Sequence, residues 1–234
     1  MLEPMPETEE AMAEYLSFET TTLDQDFIGM GEIARRIVPD VVGLSLSLVK
    51  DGLTFTLIAP DVGIGSLDAV QYVDDGPCEA AVQRAELVQA EIEDLLDEGR
   101  WQFFAQAAAA AGVSSSLSMP ILHEGEVTGG INIYASTPRA FDGHEQRLAH
   151  ALGASAEHAV RNADLSFSTR LRAVEAPAKL RDAETVDHAI GILSARFEEP
   201  IDEARSRLHT AAARAGVPVA VSARVIVSVH SAHG

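Results

Sequence analysis

The arginines near the carboxyl end of this 234-residue chain are the side chains whose type and spacing point most directly to chemistry. Residues 170–234 carry nine basic side chains against eight acidic ones, whereas the other 169 residues carry eight basic and 28 acidic ones. Arginine can bind a phosphate through two parallel hydrogen bonds and can stack on an unpaired base. The net charge of −19 disfavours nucleic acid for the whole chain, but not for this segment. An equally open interpretation is that these arginines only balance an acidic protein.

Few other side chains are arranged for chemistry, and the sequence predicts no enzyme. No Ser-His-Asp arrangement, phosphate-binding glycine loop or HExxH motif is recognisable. The single cysteine, Cys78, is expected to be a small buried side chain; a redox-sensitive or covalently modified thiol is the alternative. A thiol-based reductase generally needs a second cysteine to resolve its oxidised intermediate. The acidic run between Glu91 and Glu98 is predicted to be a solvated turn, so we expect no metal and no cofactor.

Two hairpins are predicted to form an antiparallel sheet within residues 21–165. The first pairs 41–49 with 53–58 through an Asp-Gly turn, which supplies the left-handed conformations that a tight turn needs. The second pairs 115–122 with 126–134, and a Gly-Gly pair in its second strand indicates a bulge or a close backbone approach. Together with the surrounding helices, these strands predict an α+β fold with helices packed on the sheet.

Apolar spacing predicts the helices around these hairpins. The predicted helices span 27–38, 78–85 and 101–111, and a short strand is predicted over 86–90. Prolines and glycines make 59–79 a predicted loop, with one helical turn near Leu67–Tyr72. Residues 1–20 are predicted to be an acidic N-terminal arm.

A long helix is predicted to connect the sheet to the arginine-rich segment. Leu148, Leu152, Ala156 and later small or apolar residues up to Val174 lie three or four apart, on one side of a helix. We expect two copies of the chain to meet along residues 144–175 as a homodimer. Pro177 is then expected to bend or break the helix.

Residues 166–234 are predicted to form a separate helical output domain. A helix beginning near Pro200 and ending before Gly216 has Arg207 and Arg214 on one face. Its apolar face is predicted to comprise Ile201, Ala204, Leu208, Ala211 and Ala215. Residues 219–229 alternate like a strand and are rich in β-branched residues, but a lone strand would be poorly stable, so we predict a helix.

Several short motifs in residues 21–165 resemble those of a GAF domain, a small-molecule sensing fold built on an antiparallel sheet. These are Val42-Gly43-Leu44-Ser45-Leu46-Ser47, Gln71-Tyr72 with Gly76-Pro77-Cys78, Arg100-Trp101, Gly112-Val113 with Ser118-Met119-Pro120, and Gly130-Ile131-Asn132-Ile133-Tyr134. The resemblance implies a ligand pocket whose candidate residues are Tyr72, Cys78, Trp101, Met119 and Asn132. It does not identify the ligand.

The C-terminal residues are similar to an ANTAR domain, a three-helix module that binds paired RNA hairpins as a dimer. The similarity lies in Val186-Asp187-His188-Ala189-Ile190-Gly191-Ile192-Leu193 and in Asp202-Glu203-Ala204 with Leu208. The candidate RNA-binding residues are Arg181, Ala189, Gly191, Arg196, Arg205, Arg207 and Arg214. Ile190 replaces the lysine usual in the Ala-Lys-Gly motif, Ala183 replaces a basic residue, and 215–218 lack the usual polar turn.

The combined resemblance implies a GAF-ANTAR regulator of transcription antitermination. Its GAF domain would sense a small molecule or a partner, and its ANTAR domain would bind an RNA hairpin. The alternative is a sensory or protein-interaction dimer whose ANTAR-like domain no longer binds RNA. The sequence has no basic leader followed by an apolar run, so we expect a cytoplasmic protein that does not contact a membrane.

Overall fold

A five-stranded antiparallel sheet lies at the centre of the computed structural model, which describes residues 25–50, 52–60, 62–164 and 180–231. The strands are β1 (Val41–Lys50), β2 (Leu53–Ile58), β3 (Val88–Glu91), β4 (Ser115–His123) and β5 (Glu126–Ala135). They lie side by side in the order β2-β1-β5-β4-β3. The α+β fold predicted from the sequence is confirmed.

Helices cover both faces of this sheet, and further helices come after it in the chain. They are α1 (25–37), α2 (Val62–Asp74), α3 (Pro77–Arg84), α4 (Ile92–Glu98), α5 (Gln102–Ala110), α6 (Glu145–Asp164), α7 (Leu180–Phe197), α8 (Ile201–Arg214) and α9 (Val219–Ser231). We call 25–164 the sensor, after the sensing fold that its motifs resemble, and α7–α9 the C-terminal bundle. The predicted arm at 1–20 and Pro177 lie outside the described residues.

Both predicted hairpins are confirmed. β1 and β2 pair up to Lys50 and Leu53, on either side of the predicted Asp-Gly turn. β4 and β5 turn at Glu124 and Gly125, both of which have positive φ, as a tight hairpin requires. The predicted close backbone approach is also present, because a Cβ atom at Gly129 would overlap the carbonyl oxygen of Ser47.

The two faces of the sheet differ in chemistry because successive side chains of a strand point to opposite sides. Leu44, Leu46 and Leu48 of β1 are buried in an aliphatic core with α1 and α6. Ser45 and Ser47, which alternate with them, are fully buried on the face covered by α2 and α3. The sheet therefore has an aliphatic face and a polar face.

Two predictions of irregular structure are wrong. Residues 62–74, predicted to be mostly loop, form α2, because buried Leu67, Val70 and Val73 outweigh the low helix propensity of the glycines. Gly65 allows a close approach, since a Cβ there would lie 3.0 Å from Cγ1 of Val217. The acidic run predicted to be a turn forms α4, where buried Ile92 and Leu95 hold one side of the helix.

The C-terminal bundle packs against the sensor. Residues of α2 and α5 share one hydrophobic core with residues of α7, α8 and α9. The prediction that 219–229 are helical is confirmed, since Ala220, Ala223, Ile226 and Val229 form the buried side of α9. Among the described residues, no single helix is long and apolar enough to cross a membrane; α8 and α9 reach that threshold only as a pair bent by 116°.

The stripe predicted to join two copies of the chain faces the chain's own sheet. Leu148, Leu152, Ala156 and Ala159 of α6 are all buried in the aliphatic core. A dimer contact along α6 would therefore have to use the opposite side of that helix. Residues 165–179, the remainder of the predicted contact, lie outside the described residues.

Candidate functional site

A buried carboxylate, Asp68, is the centre of the polar face. Its Oδ1 accepts hydrogen bonds from Ser45 Oγ at 3.0 Å, Asn132 Nδ2 at 3.2 Å and Tyr134 OH at 2.7 Å. Its Oδ2 accepts one from Thr56 Oγ1 at 2.9 Å. These five residues, called the Asp68 network, come from α2, from the edge strand β2 and from the inner strands β1 and β5.

The position of Asp68 raises the pKa of its carboxyl group. Asp68 has no exposed surface, and its burial disfavours the charged form. The hydrogen bonds from Tyr134, Ser45, Thr56 and Asn132 act in the opposite direction but do not cancel the effect of burial. The four donors are what allows a carboxyl group to be buried here, because a buried polar group without hydrogen-bond partners is costly.

Three of the candidate pocket residues lie in or beside the Asp68 network. Asn132 belongs to it, and the Tyr72 hydroxyl lies 2.9 Å from Thr56 Oγ1. Cys78 Sγ lies 4.0 Å from Ser47 Oγ. Gln71 joins these groups, since its Nε2 donates to Tyr134 OH at 2.8 Å and its Oε1 accepts from the Cys78 backbone N–H at 2.8 Å.

The other two candidate pocket residues lie elsewhere. Met119 points to the opposite side of the sheet, where it is buried in the aliphatic core, whereas its neighbour Ser118 donates to Asn132 Oδ1 at 2.9 Å. Trp101 precedes α5 and is half-buried, with the guanidinium of Arg100 stacked 4.0 Å from its ring centre. Neither side chain belongs to the Asp68 network.

Cys78 is buried, as the sequence predicts. Only 1% of its surface is exposed, and burial, followed by the nearby charge of Asp68, raises the pKa of its thiol to about 12. The thiol is therefore protonated at neutral pH, which makes it a poor nucleophile.

Sequence reasoning missed most of the Asp68 network. It did not single out Asp68, because 59–79 was predicted to be a loop. Among the polar strand residues of the network, only Asn132 was assigned to the candidate pocket. The signal that could have found them is the alternation Leu44-Ser45-Leu46-Ser47-Leu48, with Leu117-Ser118-Met119 in β4. Such alternation within a fully buried strand indicates two cores of different polarity.

Arg214, a candidate for RNA binding, is buried against the sensor. Its Nε donates to the Thr54 carbonyl oxygen at 2.7 Å, and its Nη2 forms an ion pair with Glu79. Its guanidinium also stacks 4.2 Å from the ring centre of Tyr72. Periodicity alone placed Arg214 on a face away from the apolar side of α8, but it could not show that the sensor covers this face.

Arg207, one heptad earlier on α8, is held by similar groups. Its Nε and Nη2 bind the two carboxylate oxygens of Glu199 at 3.0 Å and 2.8 Å, and its Nη1 donates to the Val73 carbonyl oxygen at 3.4 Å. The Phe197 ring lies under its guanidinium at 4.5 Å. The hydrogen bonds that Arg207 donates to Glu199 raise the pKa of Arg207 further, so it remains charged.

The remaining RNA-binding candidates differ in exposure. Arg196 and Gly191 are exposed, Ala189 is fully buried, and Arg205 forms an exposed ion pair with Asp187 at 3.3 Å. Arg181 belongs to α7, but its side chain is not described.

Two positions beside these candidates show how the helices pack. Ile190 is 1% exposed, which confirms the burial expected from its place in the apolar stripe. Ile201, predicted to be on the apolar face of α8, is 50% exposed, because the buried stripe of that helix begins one turn later, at Ala204.

A comparison with protein families identifies the fold of the sensor. A family model described as "GAF domain" matches residues 32–161, which is more than half of the chain and ends before the C-terminal bundle. Among curated proteins, none is significantly similar to this chain.

Several solved structures are similar to the chain in fold. A type II free methionine-R-sulfoxide reductase from Thermoplasma acidophilum is 14% identical, and the match covers 61% of this chain and 94% of that one (TM-score 0.44). The GAF domain of a Bacillus halodurans two-component sensor histidine kinase is 13% identical, with 61% and 95% covered (TM-score 0.43). A phycoerythrobilin-bound GAF domain from a cyanobacterial phytochrome is 11% identical, with 71% and 100% covered (TM-score 0.42).

Proposed function

Because this chain belongs to the GAF domain family, whose members serve mostly in sensing and regulation, we propose that it is a signal-responsive RNA-binding regulator of transcription antitermination. In this proposal the sensor binds a small molecule or a partner, and the C-terminal bundle of a homodimer binds an RNA hairpin. The observation that carries the proposal is the direct contact between the two parts. The Tyr72 hydroxyl contacts Thr56 of the Asp68 network, and the guanidinium of Arg214 in α8 stacks on the Tyr72 ring.

The polar face suits a small ligand that donates hydrogen bonds. Asp68 offers two carboxylate oxygens, and Asn132 and Tyr134 beside it each have both donor and acceptor atoms. Tyr72 and Cys78 lie next to these groups, so the ligand would contact Tyr72, Cys78 and Asn132. Burial strengthens such hydrogen bonds, because water does not compete for them.

The arginines of the C-terminal bundle suit RNA. Arg196 and Arg205 are exposed and can approach phosphates directly. Arg207 and Arg214 are held by carboxylates and aromatic rings, and RNA provides the same combination as phosphates and unpaired bases.

A filter-binding titration of the full chain tests the proposal. The probe is an RNA hairpin with a purine-containing loop, compared with a scrambled RNA of equal length, at several salt concentrations. Each phosphate contact should contribute about 0.7–0.9 to the slope of log affinity against log salt. Arg196→Gln should lower this slope by about 1, whereas Arg84→Gln, which removes an exposed charge from the sensor, should leave it unchanged. Equal affinity for both RNAs with a flat salt dependence would refute RNA recognition.

A second candidate function is a sensory or protein-interaction dimer that does not bind RNA. Burial of Ile190 favours it, because the position that is a lysine in the resembled motif contributes to the core instead of a surface. Sedimentation of the full chain with and without the hairpin separates the two functions. A dimer whose sedimentation is unchanged by RNA at low salt supports the second function, and a dimer that co-sediments with RNA excludes it.

A further inference from the structure

Arg214 contacts two sensor groups of the kinds that RNA also offers, an anion and a flat aromatic ring. The Glu79 carboxylate supplies an anion, and the Tyr72 ring supplies a flat aromatic surface at 4.2 Å. Only 8% of Arg214 is exposed, so a phosphate cannot reach its guanidinium while α8 is docked on the sensor. An anion together with a stacked ring is the set of partners that arginine uses on a single-stranded loop.

Arg207 is occupied in the same way. Glu199 accepts hydrogen bonds from its Nε and Nη2, Phe197 stacks on it, and the sensor's Val73 carbonyl oxygen accepts one from Nη1. The two arginines lie seven residues apart on α8, and both are engaged at the boundary with the sensor. Glu199 and Phe197 belong to the C-terminal bundle itself, so docking adds only the Val73 hydrogen bond to Arg207. Arg214 is therefore the proposed RNA contact that docking removes.

A short chain of hydrogen bonds joins this boundary to the proposed signal site. Thr56 Oγ1 donates to Asp68 Oδ2 at 2.9 Å and lies 2.9 Å from the Tyr72 hydroxyl. The hydroxyl of Thr56 has one proton, so while Thr56 donates to Asp68, the Tyr72 hydroxyl must donate to Thr56. If a ligand displaced Thr56 from the Asp68 oxygen, Thr56 could donate to the Tyr72 hydroxyl instead. Such a change would act on Tyr72, whose ring is the surface on which Arg214 stacks.

We propose that the docked C-terminal bundle is an autoinhibited state, in which Glu79 and Tyr72 hold Arg214 in place of an RNA phosphate and base, and that a signal at the Asp68 network releases it. This inference rests on the proposed RNA-binding function. It requires that the signal bind the undocked form more tightly than the docked form, because only a difference in affinity shifts the balance between them.

A reversible covalent lock tests the proposal in the full chain. A Cβ at Gly65 of α2 would lie 3.0 Å from Cγ1 of Val217, which follows α8, so Gly65→Cys with Val217→Cys places two sulfurs across the boundary within disulfide reach. Cys78 is buried with a strongly raised pKa and stays out of the reaction. The same sample is measured oxidised and reduced, so it serves as its own control.

The RNA hairpin should bind the reduced form more tightly than the oxidised form, by at least about tenfold if the lock lowers the open population from roughly 10% to about 1% or less. The single variant Gly65→Cys should bind equally under both conditions. Identical affinities of the locked and reduced double variant, with the disulfide verified by mass, would overturn the proposal.

A second variant opens the boundary without a disulfide. Glu79→Gln removes the anion that holds Arg214, so amide hydrogen exchange in α8 should become faster and RNA affinity should rise. Glu86→Gln, an exposed charge change beyond the end of α3, should alter neither. Unchanged exchange and affinity in Glu79→Gln would contradict the proposed role of the ion pair.

The two experiments also separate this inference from the function on which it rests. If the chain binds RNA but neither the disulfide lock nor Glu79→Gln changes the affinity, autoinhibition is overturned and the proposed function stands. No RNA binding by any form, reduced or Glu79→Gln, overturns both.

Discussion

Removing the charge of Arg214 should strongly destabilise the chain, because it leaves Glu79 buried without its cation. The side chains of Arg214 and Glu79 are only 9% and 10% exposed. Breaking a buried ion pair by removing one partner typically costs about 3–5 kcal/mol. Arg214→Met keeps the length of the side chain and therefore most of its packing, so this loss can be attributed to charge and hydrogen bonding, including the bond to the Thr54 carbonyl oxygen.

Urea denaturation measures the coupling energy between Arg214 and Glu79. It compares four proteins, namely the unchanged chain, Arg214→Met, Glu79→Gln and the double variant. The midpoint and slope give the free energy of unfolding for each. The double variant should be less destabilised than the sum of the single variants, because it leaves no charge unpaired.

The pH dependence gives a second readout. In Arg214→Met, the folded state holds the Glu79 carboxyl group in a buried site without its cation, so its folded pKa lies above its unfolded pKa. The folded state then binds more protons than the unfolded state between these two pKa values, and stability falls as pH rises through that interval. The loss caused by Arg214→Met should therefore be smaller near pH 5 than near pH 8.

Two results would refute this reasoning about the ion pair. One is a loss of less than about 1 kcal/mol for Arg214→Met at neutral pH, which is the value of an exposed pair. The other is a double variant whose loss equals the sum of the two single losses, because additivity means that the two groups do not interact.

Two further predictions concern the sensor's network and the ANTAR-like motif. Burial raises the pKa of Asp68, so the unchanged chain should lose stability relative to Asp68→Asn as pH rises above the unfolded pKa of about 4. The melting temperatures of both proteins, measured from below to above that pH, check this prediction. Parallel curves of melting temperature against pH would contradict it. Because Ile190 is buried, Ile190→Lys should lower the free energy of unfolding, measured by urea denaturation, by about 2–5 kcal/mol. Ala183→Lys, at an exposed position of the same helix, should change it by less than about 0.5 kcal/mol. Equal effects of the two variants would contradict the packing of α7.

The elements that the sequence predicted well are those in which local chemistry and tertiary packing agree. The Asp-Gly turn and the alternating strands beside it specify the first hairpin without help from distant residues. Residues 219–229 are the exception, because β-branched residues favour a strand there and the helix was predicted only on the ground that a lone strand would be poorly stable. The helix buries one side of α9 against the rest of the chain. Helix α2 was missed because its glycines lower local propensity, while the packing that stabilises it involves Val217, far away in sequence.

The candidate site was less predictable than the fold. Tyr72, Cys78 and Asn132 were found through short motifs, but Asp68 belongs to none of these motifs and acquires its role only when three strands place donors around it. The burial of Arg214 could not be predicted from periodicity, because periodicity shows which residues share a face and not which part of the chain covers that face.

The two-faced sheet divides its tasks between opposite sides. The aliphatic side packs α1 and α6 into a core of its own, and burial of that face favours one register of the strands. The polar side can then change its serines, threonines and asparagines with little effect on that core. A scaffold of this kind can acquire new ligand preferences by substitutions on one side of its strands while the other side preserves the fold.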